Sequence, residues 1–309
     1  MTFQQLEYIV AVDKYRHFVN AATACGVTQS TLSSTINKLE QEIDVIIFDR
    51  SKHPIEPTAL GRQIITQAST ILHNSEMLRE LVQNEKEGDK GELRIGMTPS
   101  IAPAIYPMFV KHSRVLYPHI ITHIFEASVV NVIDSLQKAE IDMAIVASND
   151  IKDSNLLEIE LFTERFFLYV SPSHALHNRE RVTPQDLQDG AMWILQEFHD
   201  RYPQLSEVVH QETLHKSFLE TGGLSTLIST IDLNGGYTLM PQLFENTLND
   251  KQKQNVRMIM SPKFFRTVSL VIRKEYMRER MLNIVADVIK HVIPDEMINP
   301  RLKKFKITL

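Results

Sequence analysis

The first 60 residues carry the apolar and polar pattern of two short helices joined by a tight turn. Small alanines at positions 21, 22 and 24 let a second helix cross closely, and Gly26 can take the left-handed conformation that ends a helix. Thr28 can then cap the second helix. Its predicted buried stripe consists of Leu32, Ile36, Leu39 and Ile43. This layout predicts a DNA-reading helix-turn-helix, and the alternative is an ordinary α-hairpin with a solvated polar face.

Polar side chains cover the second helix outside its apolar stripe. Free N–H groups at a helix N-terminus bind anions such as phosphate oxygens, and Gln or Asn can pair with adenine through two hydrogen bonds. The polar residues that we expect to face DNA are Thr28, Gln29, Ser30, Thr31, Ser33, Ser34, Asn37 and Lys38.

The segment VIIFDRSKHPIEPT, residues 45–58, predicts a two-stranded wing. Its start is β-branched and apolar, two prolines punctuate it, and a polar run lies at its turn. A wing places cations beside the DNA backbone and positions the protein without reading much sequence. Arg50, Lys52 and Thr58 complete the expected DNA-binding set.

A long helix is predicted from Thr58 to about residue 87, with an apolar seam near a 3.5-residue period. The seam consists of Ile64, Ala68, Ile71, Ser75, Leu78 and Val82. A helix that spans roughly 45 Å is too long for a 60-residue domain to bury, so we expect a second copy of the chain to pair with it. Packing on the following domain is the alternative. The linker EKEGDKG then marks a domain boundary.

From residue 92 onward, strand and helix signals alternate, which predicts parallel βαβ units in two α/β lobes. The predicted strands are 92–97, 120–127, 142–147, 166–172, 192–195, 236–241 and 266–273, and the predicted helices are 100–117, 129–138, 224–232 and 278–292. Ligands in such open sheets bind in the cleft outside the carboxyl ends of the strands.

Composition and charge narrow the function classes. The chain of 309 residues is 43% hydrophobic and 23% charged, and its one cysteine, Cys25, excludes an intramolecular disulfide. No basic leader and no apolar run of about 18 residues occurs, so we expect a cytoplasmic protein without a membrane partner. Residues 1–60 carry 5 Lys and Arg against 7 Asp and Glu, so a DNA contact would depend on helix dipoles, hydroxyls and a two-fold partner. Residues 251–309 carry 14 Lys and Arg against 5 Asp and Glu. We interpret this basic C-terminal section as a solvated tail rather than as a second nucleic-acid contact.

With these elements in this order, the whole chain resembles the LysR-type transcriptional regulators. The resemblance lies in LEYIVAVDKYRHFVNAA (6–22), VTQSTLSSTINKLEQEI (27–43), VIIFDRS (45–51) and PTALGR (57–62). It is strongest to the OxyR-like branch, through CGVTQSTLS (25–33), WILQEFH (193–199), GYTLMP (236–241) and RTVSLVIR (266–273). Ser30 and Ser34 depart from the family's usual proline and basic residue, which implies altered or weaker base reading.

The resemblance implies a winged helix-turn-helix domain (1–57), a dimerising linker helix (58–88) and a two-lobed effector domain (89–309) similar to periplasmic solute-binding proteins. Lobe I would comprise about 92–163 and 267–309, and lobe II about 164–266. The effector-binding residues that it implies are Thr98, Ser100, Ser128, His199, Asp200 and Arg266.

The sensor departs from the branch. There, a reactive cysteine follows the histidine that matches His199, and a second cysteine a few residues later closes a disulfide with it. Here Asp200 takes that place, and no cysteine follows Cys25. Without a second thiol there is no sulfenate-to-disulfide switch. Three interpretations of Asp200 remain open. It could contact a cationic or hydroxylated ligand, it could imitate one fixed redox state, or it could be a surface aspartate.

We therefore expect a DNA-binding transcription regulator that is controlled by a small-molecule effector. We expect it to contain neither a cofactor nor a metal. The expected partners are promoter DNA, the effector, a second copy through the linker helix, a homotetramer and RNA polymerase. A constitutive or peroxide-related regulator without a redox cysteine is an alternative, and a solute-binding protein is a remoter one. An enzyme is not expected, because the chain lacks GxSxG, HExxH, Walker-type and dinucleotide motifs, and His119 and His123 lack a third metal ligand.

Overall fold

The computed structural model describes residues 1–87, 90–148, 151, 153–187, 192–195, 197–198, 223–260, 265–276, 278–304 and 306–307. At positions 76–77, 79–87 and 148 it describes the backbone alone. The chain divides into two units, which are Met1–Gly91 with Asp134–Ile141, and Glu92–Ile133 with Asp142–Leu309.

The first unit begins with three short helices, a small hairpin and one long helix. Its elements are α1 (Phe3–Tyr15), α2 (Phe18–Ala24), α3 (Gln29–Ile43), β1 (Phe48–Asp49), β2 (Glu56–Pro57) and α4 (Ala59–Glu87). Thr2 starts α1 with a capping box, in which the Gln5 N–H donates to its hydroxyl and the Gln5 side chain accepts from the Thr2 N–H. Gly26 follows α2 with φ +67°, as predicted for the residue that ends this helix. β1 and β2 pair antiparallel and form the predicted wing.

The core of this unit follows the predicted apolar stripe. Leu32, Ile36 and Leu39 are fully buried, whereas Ile43 is only partly buried near the end of α3. The three alanines of α2 differ in burial: Ala21 and Ala22 are buried, whereas Ala24 is exposed. The prediction that Ala24 helps two helices to cross is therefore wrong. Other core side chains are Leu6, Tyr8, Ile9, Val12, Phe18, Ile47, Phe48, Ile55, Ile65 and Ala68.

The long helix α4 uses only its first turns for this core. Ile65 and Ala68 are buried in it, with Ile64 and Leu72 packed against it. Farther along the predicted seam, Ile71 is 39% exposed and Leu78 is 63% exposed. Its last member, at position 82, lies outside the described side chains. The first unit therefore leaves apolar seam positions of α4 uncovered.

Gly61 allows the first turn of α4 to approach the wing. A Cβ at this position would lie 2.1 Å from the Ile47 carbonyl oxygen and 2.9 Å from the Thr58 hydroxyl oxygen. The nearer atom belongs to the backbone and cannot rotate away. We expect Gly61→Ala to destabilise the first unit by about 1–3 kcal/mol through overpacking, although alanine is the better helix former. Urea unfolding followed by circular dichroism measures this change.

Gln67→Ala is the matched control for this prediction, because Gln67 is exposed on the same helix. We expect that variant to stay within about 0.5 kcal/mol of the wild type. Equal stability of the two variants would show that α4 and the wing do not pack as closely as described.

The second unit is built on paired strands with helices beside them. Its strands are β3 (Gly91–Met97), β4 (Ile120–Glu126), β5 (Met143–Ser148), β6 (Leu156–Val170), β7 (Arg181–Val182), β8 (Tyr237–Pro241), β9 (Val256–Ile259) and β10 (Phe265–Arg273). Its helices are α5 (Ala102–Leu116), α6 (Val129–Gln137, whose last residues fall in the other unit), α7 (Leu224–Asn234), α8 (Asp250–Lys253), α9 (Glu279–Val292) and α10 (Pro300–Lys304). Short 3-10 turns lie at Ala175–Asn178, Pro184–Asp186 and Gln242–Thr247.

The long strand β6 joins two lobes. The strands hydrogen-bond in the order β4-β3-β5-β10-β6-β9-β7, and β8 also pairs with β6. β6 pairs with β10 from Leu156 to Arg165, and with β8 from Phe166 to Val170. Its partner therefore changes between Arg165 and Phe166. The lobe that contains β8 and β9 has its own core, which includes Phe166, Leu168, Phe198, Leu227 and Leu239.

The strand directions correct the prediction of parallel units. β3 and β5 are parallel, but β10 is antiparallel to both β5 and β6, and β6 is antiparallel to β8 and β9. The predicted strand at 192–195 is reduced to isolated bridge residues, Met192 and Leu195, of which Met192 pairs with Tyr237. The predicted strand that begins at residue 166 instead begins at Leu156, because the alternating run LLEIELFTER continues the same strand. Among the described helices, none is long and apolar enough to cross a membrane.

Candidate DNA-binding surface and effector site

A cluster of hydroxyls surrounds the N-terminus of α3. The Thr28 side-chain oxygen accepts a hydrogen bond from the Thr31 N–H at 3.2 Å, which confirms the predicted cap. It also lies 2.9 Å from the Ser30 hydroxyl and 2.8 Å from the Thr31 hydroxyl. Ser34 donates its hydroxyl to the Thr31 carbonyl at 3.0 Å. This end of α3 therefore offers hydroxyls beside the free N–H groups of a helix N-terminus.

The polar face of α3 is open along most of its length. Its exposed members are Thr28, Gln29, Ser30, Thr31, Ser34, Asn37 and Lys38, and Ser33 is partly buried. The apolar stripe faces the core on the other side of the helix. A helix packed on one face and polar on the other can enter the major groove of DNA.

Arg50 contacts α3, although its side chain is 38% exposed. Its guanidinium donates to the Ser33 hydroxyl at 3.3 Å and to the Glu40 carboxylate at 3.0 Å, and it also contacts the Asn37 side-chain oxygen. The guanidinium carbon lies 5.1 Å from the centre of the Phe18 ring. The charge of Arg50 is therefore paired within the protein.

Glu40 connects α3 to the wing and to Arg50, which the sequence pattern did not indicate. Its carboxylate accepts hydrogen bonds from the Ile47 N–H at 2.7 Å and the Phe48 N–H at 3.2 Å, besides the one from Arg50. Its side chain is 13% exposed. In the sequence, Glu40 stands out only as a carboxylate next to the apolar Leu39 of α3. This position does not indicate that Glu40 pairs with Arg50, ten residues later.

Lys52 and Thr58, which complete the expected DNA-binding set, have local partners. Lys52 pairs with Glu56 at 2.6 Å on the exposed hairpin, and this contact raises the pKa of Lys52 and lowers that of Glu56. Thr58 donates to the Ile46 carbonyl at 2.8 Å and accepts from the Gly61 N–H at 2.9 Å. Thr58 thus caps α4, as its place in the sequence predicts.

Cys25 lies at the C-terminal end of α2 and is partly buried. Burial, and secondarily the negative charge of Glu7, raise the pKa of its thiol above the ordinary value. A raised pKa lowers the thiolate fraction at neutral pH, and the thiolate is the form that attacks peroxide and is oxidised to a sulfenate. Cys25 thus has the properties of a packing residue.

In the second unit, a buried polar cluster joins the turn after β3 to the two strands that link the lobes. Arg266 on β10 and Glu164 on β6 have side chains that are 2% and 1% exposed, and Arg266 Nη2 lies 2.8 Å from Glu164 Oε1. Arg266 also donates to the Ser100 hydroxyl at 3.0 Å and to the Ser100 carbonyl at 3.1 Å. The hydroxyls of Thr98 and Ser100 are 3.2 Å apart, and both residues are fully buried. The structure thus brings together Thr98, Ser100 and Arg266, which the resemblance had implied.

Two carboxylates that the sequence analysis missed complete this cluster. Glu164 Oε2 accepts from the Leu243 N–H at 2.9 Å, and Glu197 Oε1 accepts from the Ser100 hydroxyl at 2.8 Å. The signal for Glu164 is its place in β6 between the buried Phe162 and Phe166, because a charged residue on a buried strand face needs a partner.

The other expected effector residues are not part of the described cluster. Ser128 is exposed, and its hydroxyl accepts from the Asn131 N–H at 3.4 Å in the first turn of α6. His199 and Asp200 lie outside the described residues. A separate cleft beside Glu164 is lined by Thr163, Arg165, Phe166, Phe167, Gln242, Met258, Ile259, Met260, Phe265, Glu296 and Met297. Among the described residues, no group of three or more His, Cys, Asp or Glu is placed to hold a metal ion.

Comparison with known proteins assigns both parts of the chain. Residues 3–62 match the model of the bacterial regulatory helix-turn-helix protein, lysR family, and residues 86–293 match the LysR substrate binding domain. The hydrogen peroxide-inducible genes activator of Haemophilus influenzae is 30% identical over 302 residues, which are 95% of this chain and 99% of that protein. The DNA-binding transcriptional dual regulator OxyR of Escherichia coli is 29% identical over 88% of this chain and 90% of its own length.

A solved structure agrees with this assignment. A cysteine-to-aspartate variant of full-length OxyR from Pseudomonas aeruginosa has a TM-score of 0.80 and 27% identity, and the match covers 97% of this chain and 98% of that one. The predicted winged helix-turn-helix with a two-lobed α/β domain is confirmed by both domain matches and by this structure. The chain therefore belongs to the LysR family of DNA-binding bacterial transcription regulators, is similar to OxyR proteins, and has a single cysteine, which lies in its helix-turn-helix domain.

Proposed function

We propose that this regulator reads a promoter operator with α3 and responds to a small-molecule effector between the lobes of its second unit, without a thiol–disulfide switch. The observation that carries the proposal is the exposed polar face of α3, whose opposite face is fully packed. The residues that we propose to form the DNA-binding surface, either by contacting DNA or by positioning side chains that do, are Thr28, Gln29, Ser30, Thr31, Ser33, Ser34, Asn37, Lys38, Arg50, Lys52 and Thr58.

The absence of a thiol switch rests on the sequence itself. One cysteine cannot form a disulfide within a chain, and the pKa of the Cys25 thiol is raised. Asp200 stands where the resemblance places the reactive cysteine. A carboxylate at this position cannot pass through the sulfenate and disulfide steps.

The charges of the Arg266 cluster bear on the chemistry of the effector. Arg266 is already paired with Glu164 and Ser100, whereas Glu197 adds a second carboxylate next to the same hydroxyl. Burying a further negative charge beside these carboxylates is unfavourable. We therefore propose that the effector donates hydrogen bonds or carries a positive charge. Its expected contacts are Thr98, Ser100, Ser128, His199, Asp200 and Arg266.

A second candidate function is that of a constitutive regulator. Asp200 supports it, because a fixed carboxylate at the sensor position can hold one state of the switch permanently. A constitutive regulator binds its operator in one manner whatever molecules are supplied, whereas an effector-controlled regulator changes its footprint.

The uncovered seam of α4 supports pairing with a second copy of the chain. Ile71 and Leu78 are apolar and exposed on a helix of 29 residues, about 44 Å long. Pairing places two reading helices on one operator and offsets the low positive charge of each. We propose a dimer through α4, with further pairing into a tetramer, a contact to RNA polymerase, and a cytoplasmic location beside the chromosome. The proposed boundaries are 1–57 for the DNA-binding domain, 58–88 for the linker helix and 89–309 for the effector domain.

Retention of genomic DNA by the purified full-length protein tests this proposal. Sequencing of the retained fragments is expected to give one recurring site, with half-sites spaced by whole helical turns of about 10 bp, and neighbouring genes that indicate the effector. Retention of random fragments, with no recurring site at any salt concentration, would contradict it.

A further inference from the structure

We infer that Arg50 is a positioning residue that fixes the reading face of α3, and that it thereby determines which base edge Asn37 recognises. The inference rests on the proposed function, in which α3 reads base edges in the major groove. It concerns three contacts of one guanidinium, with Glu40, Ser33 and Asn37.

Glu40 holds Arg50 from behind. One carboxylate oxygen accepts the N–H groups of Ile47 and Phe48, where the chain enters the wing, and the other accepts from Arg50. With a side chain 13% exposed, Glu40 loses most of its hydration and needs these donors. The wing strand and the guanidinium are thus attached to the same carboxylate of α3.

Phe18 supports the guanidinium from the side. The Arg50 guanidinium carbon lies 5.1 Å from the ring centre of Phe18, and this ring meets that of Phe48 edge to face at 6.3 Å. A planar guanidinium can stack on a ring while its N–H groups donate in its plane, which a lysine ammonium cannot do. Three elements therefore determine where Arg50 points, namely α2, α3 and the wing.

The consequence for α3 concerns Asn37. Adenine recognition by asparagine uses the side-chain oxygen to accept from N6 and the side-chain NH₂ to donate to N7. Here the Asn37 oxygen is engaged by Arg50, so that Asn37 presents its NH₂ donors outward. Such donors match acceptors in the major groove, which are O6 and N7 of guanine, O4 of thymine and N7 of adenine. At adenine, however, the neighbouring N6 amino group would no longer find the Asn37 oxygen that accepts from it. Asn37 is therefore set to prefer guanine or thymine over adenine.

The same geometry separates Arg50 from the phosphate contacts. A guanidinium paired with Glu40 carries little net charge toward DNA, whereas Lys52 lies on the exposed wing, with a partner that is itself exposed. Removal of a phosphate contact weakens binding to all sequences alike and reduces the salt dependence. Removal of a positioning residue changes the preferred base.

Selection of bound sequences from random double-stranded DNA by the full-length protein tests this assignment. Arg50→Ala frees the Asn37 oxygen, and we expect the adenine preference at one position of each half-site to rise by about 5-fold or more. Glu40→Gln keeps acceptors for the wing N–H groups but loses the charge that holds Arg50, so a smaller shift in the same direction is expected. Arg50→Lys is expected to behave like Arg50→Ala, because an ammonium cannot replace the planar contacts.

Lys52→Ala is the matched control, since it removes a cation from the same wing. We expect weaker binding to every sequence, with unchanged base preference. Arg50→Ala that behaves like Lys52→Ala, with uniform weakening and no change of preferred base, would overturn the inference and make Arg50 a phosphate contact. If Arg50→Ala does not fold, the Glu40→Gln shift decides in the same way.

Failure of the proposed function gives a different result. In that case Asn37→Ala and Gln29→Ala leave the base preference unchanged at every position, and the inference about Arg50 falls with it. If Asn37→Ala and Gln29→Ala change the preference while Arg50→Ala and Glu40→Gln do not, α3 reads DNA and only the role of Arg50 is wrong.

Discussion

Glu164→Ala is expected to lower the free energy of unfolding of the second unit by about 3–5 kcal/mol. The substitution removes the buried carboxylate that lies 2.8 Å from the Arg266 guanidinium. It also removes the acceptor of the Leu243 N–H. Removal of one partner of a buried ion pair is among the few changes that destabilise a protein this strongly. For a unit of about 200 residues this corresponds to a loss of roughly 6–20 °C in Tm.

The double variant Glu164→Leu with Arg266→Met is the control for this prediction. It removes both charges and fills similar volume, so we expect it to be more stable than Glu164→Ala, although Ser100 loses a donor. Urea unfolding at fixed protein concentration measures both variants. A Glu164→Ala protein within about 1 kcal/mol of the wild type would mean that the Arg266 charge is not buried against Glu164.

The second large effect concerns DNA. Gln29→Ala with Ser33→Ala removes two polar side chains from the reading face of α3, and each good base contact contributes about 1–3 kcal/mol of discrimination. We expect the affinity for the selected operator to fall about 100-fold or more at fixed salt, while binding to unrelated DNA changes little. Fluorescence anisotropy with operator and scrambled duplexes measures this ratio.

Gln41→Ala is the matched control on the same helix. Gln41 is exposed near the C-terminal end of α3, away from the N-terminal hydroxyl cluster. We expect this variant to bind the operator like the wild type. An unchanged operator-to-scrambled ratio in the Gln29→Ala, Ser33→Ala protein would contradict the assignment of α3 as the reading helix.

The reading domain could be predicted in detail from the sequence because its determinants are local. The spacing of Leu32, Ile36 and Leu39 encodes a helical face, and Thr28 and Gly26 carry their conformational preferences in their own chemistry. The contact of Arg50 with Glu40 does not follow from any such spacing. It depends on how the wing folds back on α3, which is a tertiary property.

The second unit was less predictable for the same reason. Strand positions such as 143–148 follow from apolar runs, but the direction of β10 depends on pairing with strands more than 90 residues away in sequence. Thr98, Ser100 and Arg266 were expected through resemblance to a family, whereas their carboxylate partners were not. Glu164 and Arg266 are separated by 102 residues, and only the fold shows that each neutralises the other.

We propose that this OxyR-like regulator works without a thiol switch, and a DNase footprint on its selected operator tests this most directly. The full-length protein and a Cys25→Ser variant are compared before and after treatment with hydrogen peroxide. We expect one footprint in all four samples, because the chain has no second thiol and the raised pKa of Cys25 disfavours its thiolate. A footprint that changes with peroxide in the wild type would show that a thiol switch operates. If the Cys25→Ser variant no longer showed this change, Cys25 would be the responsible thiol.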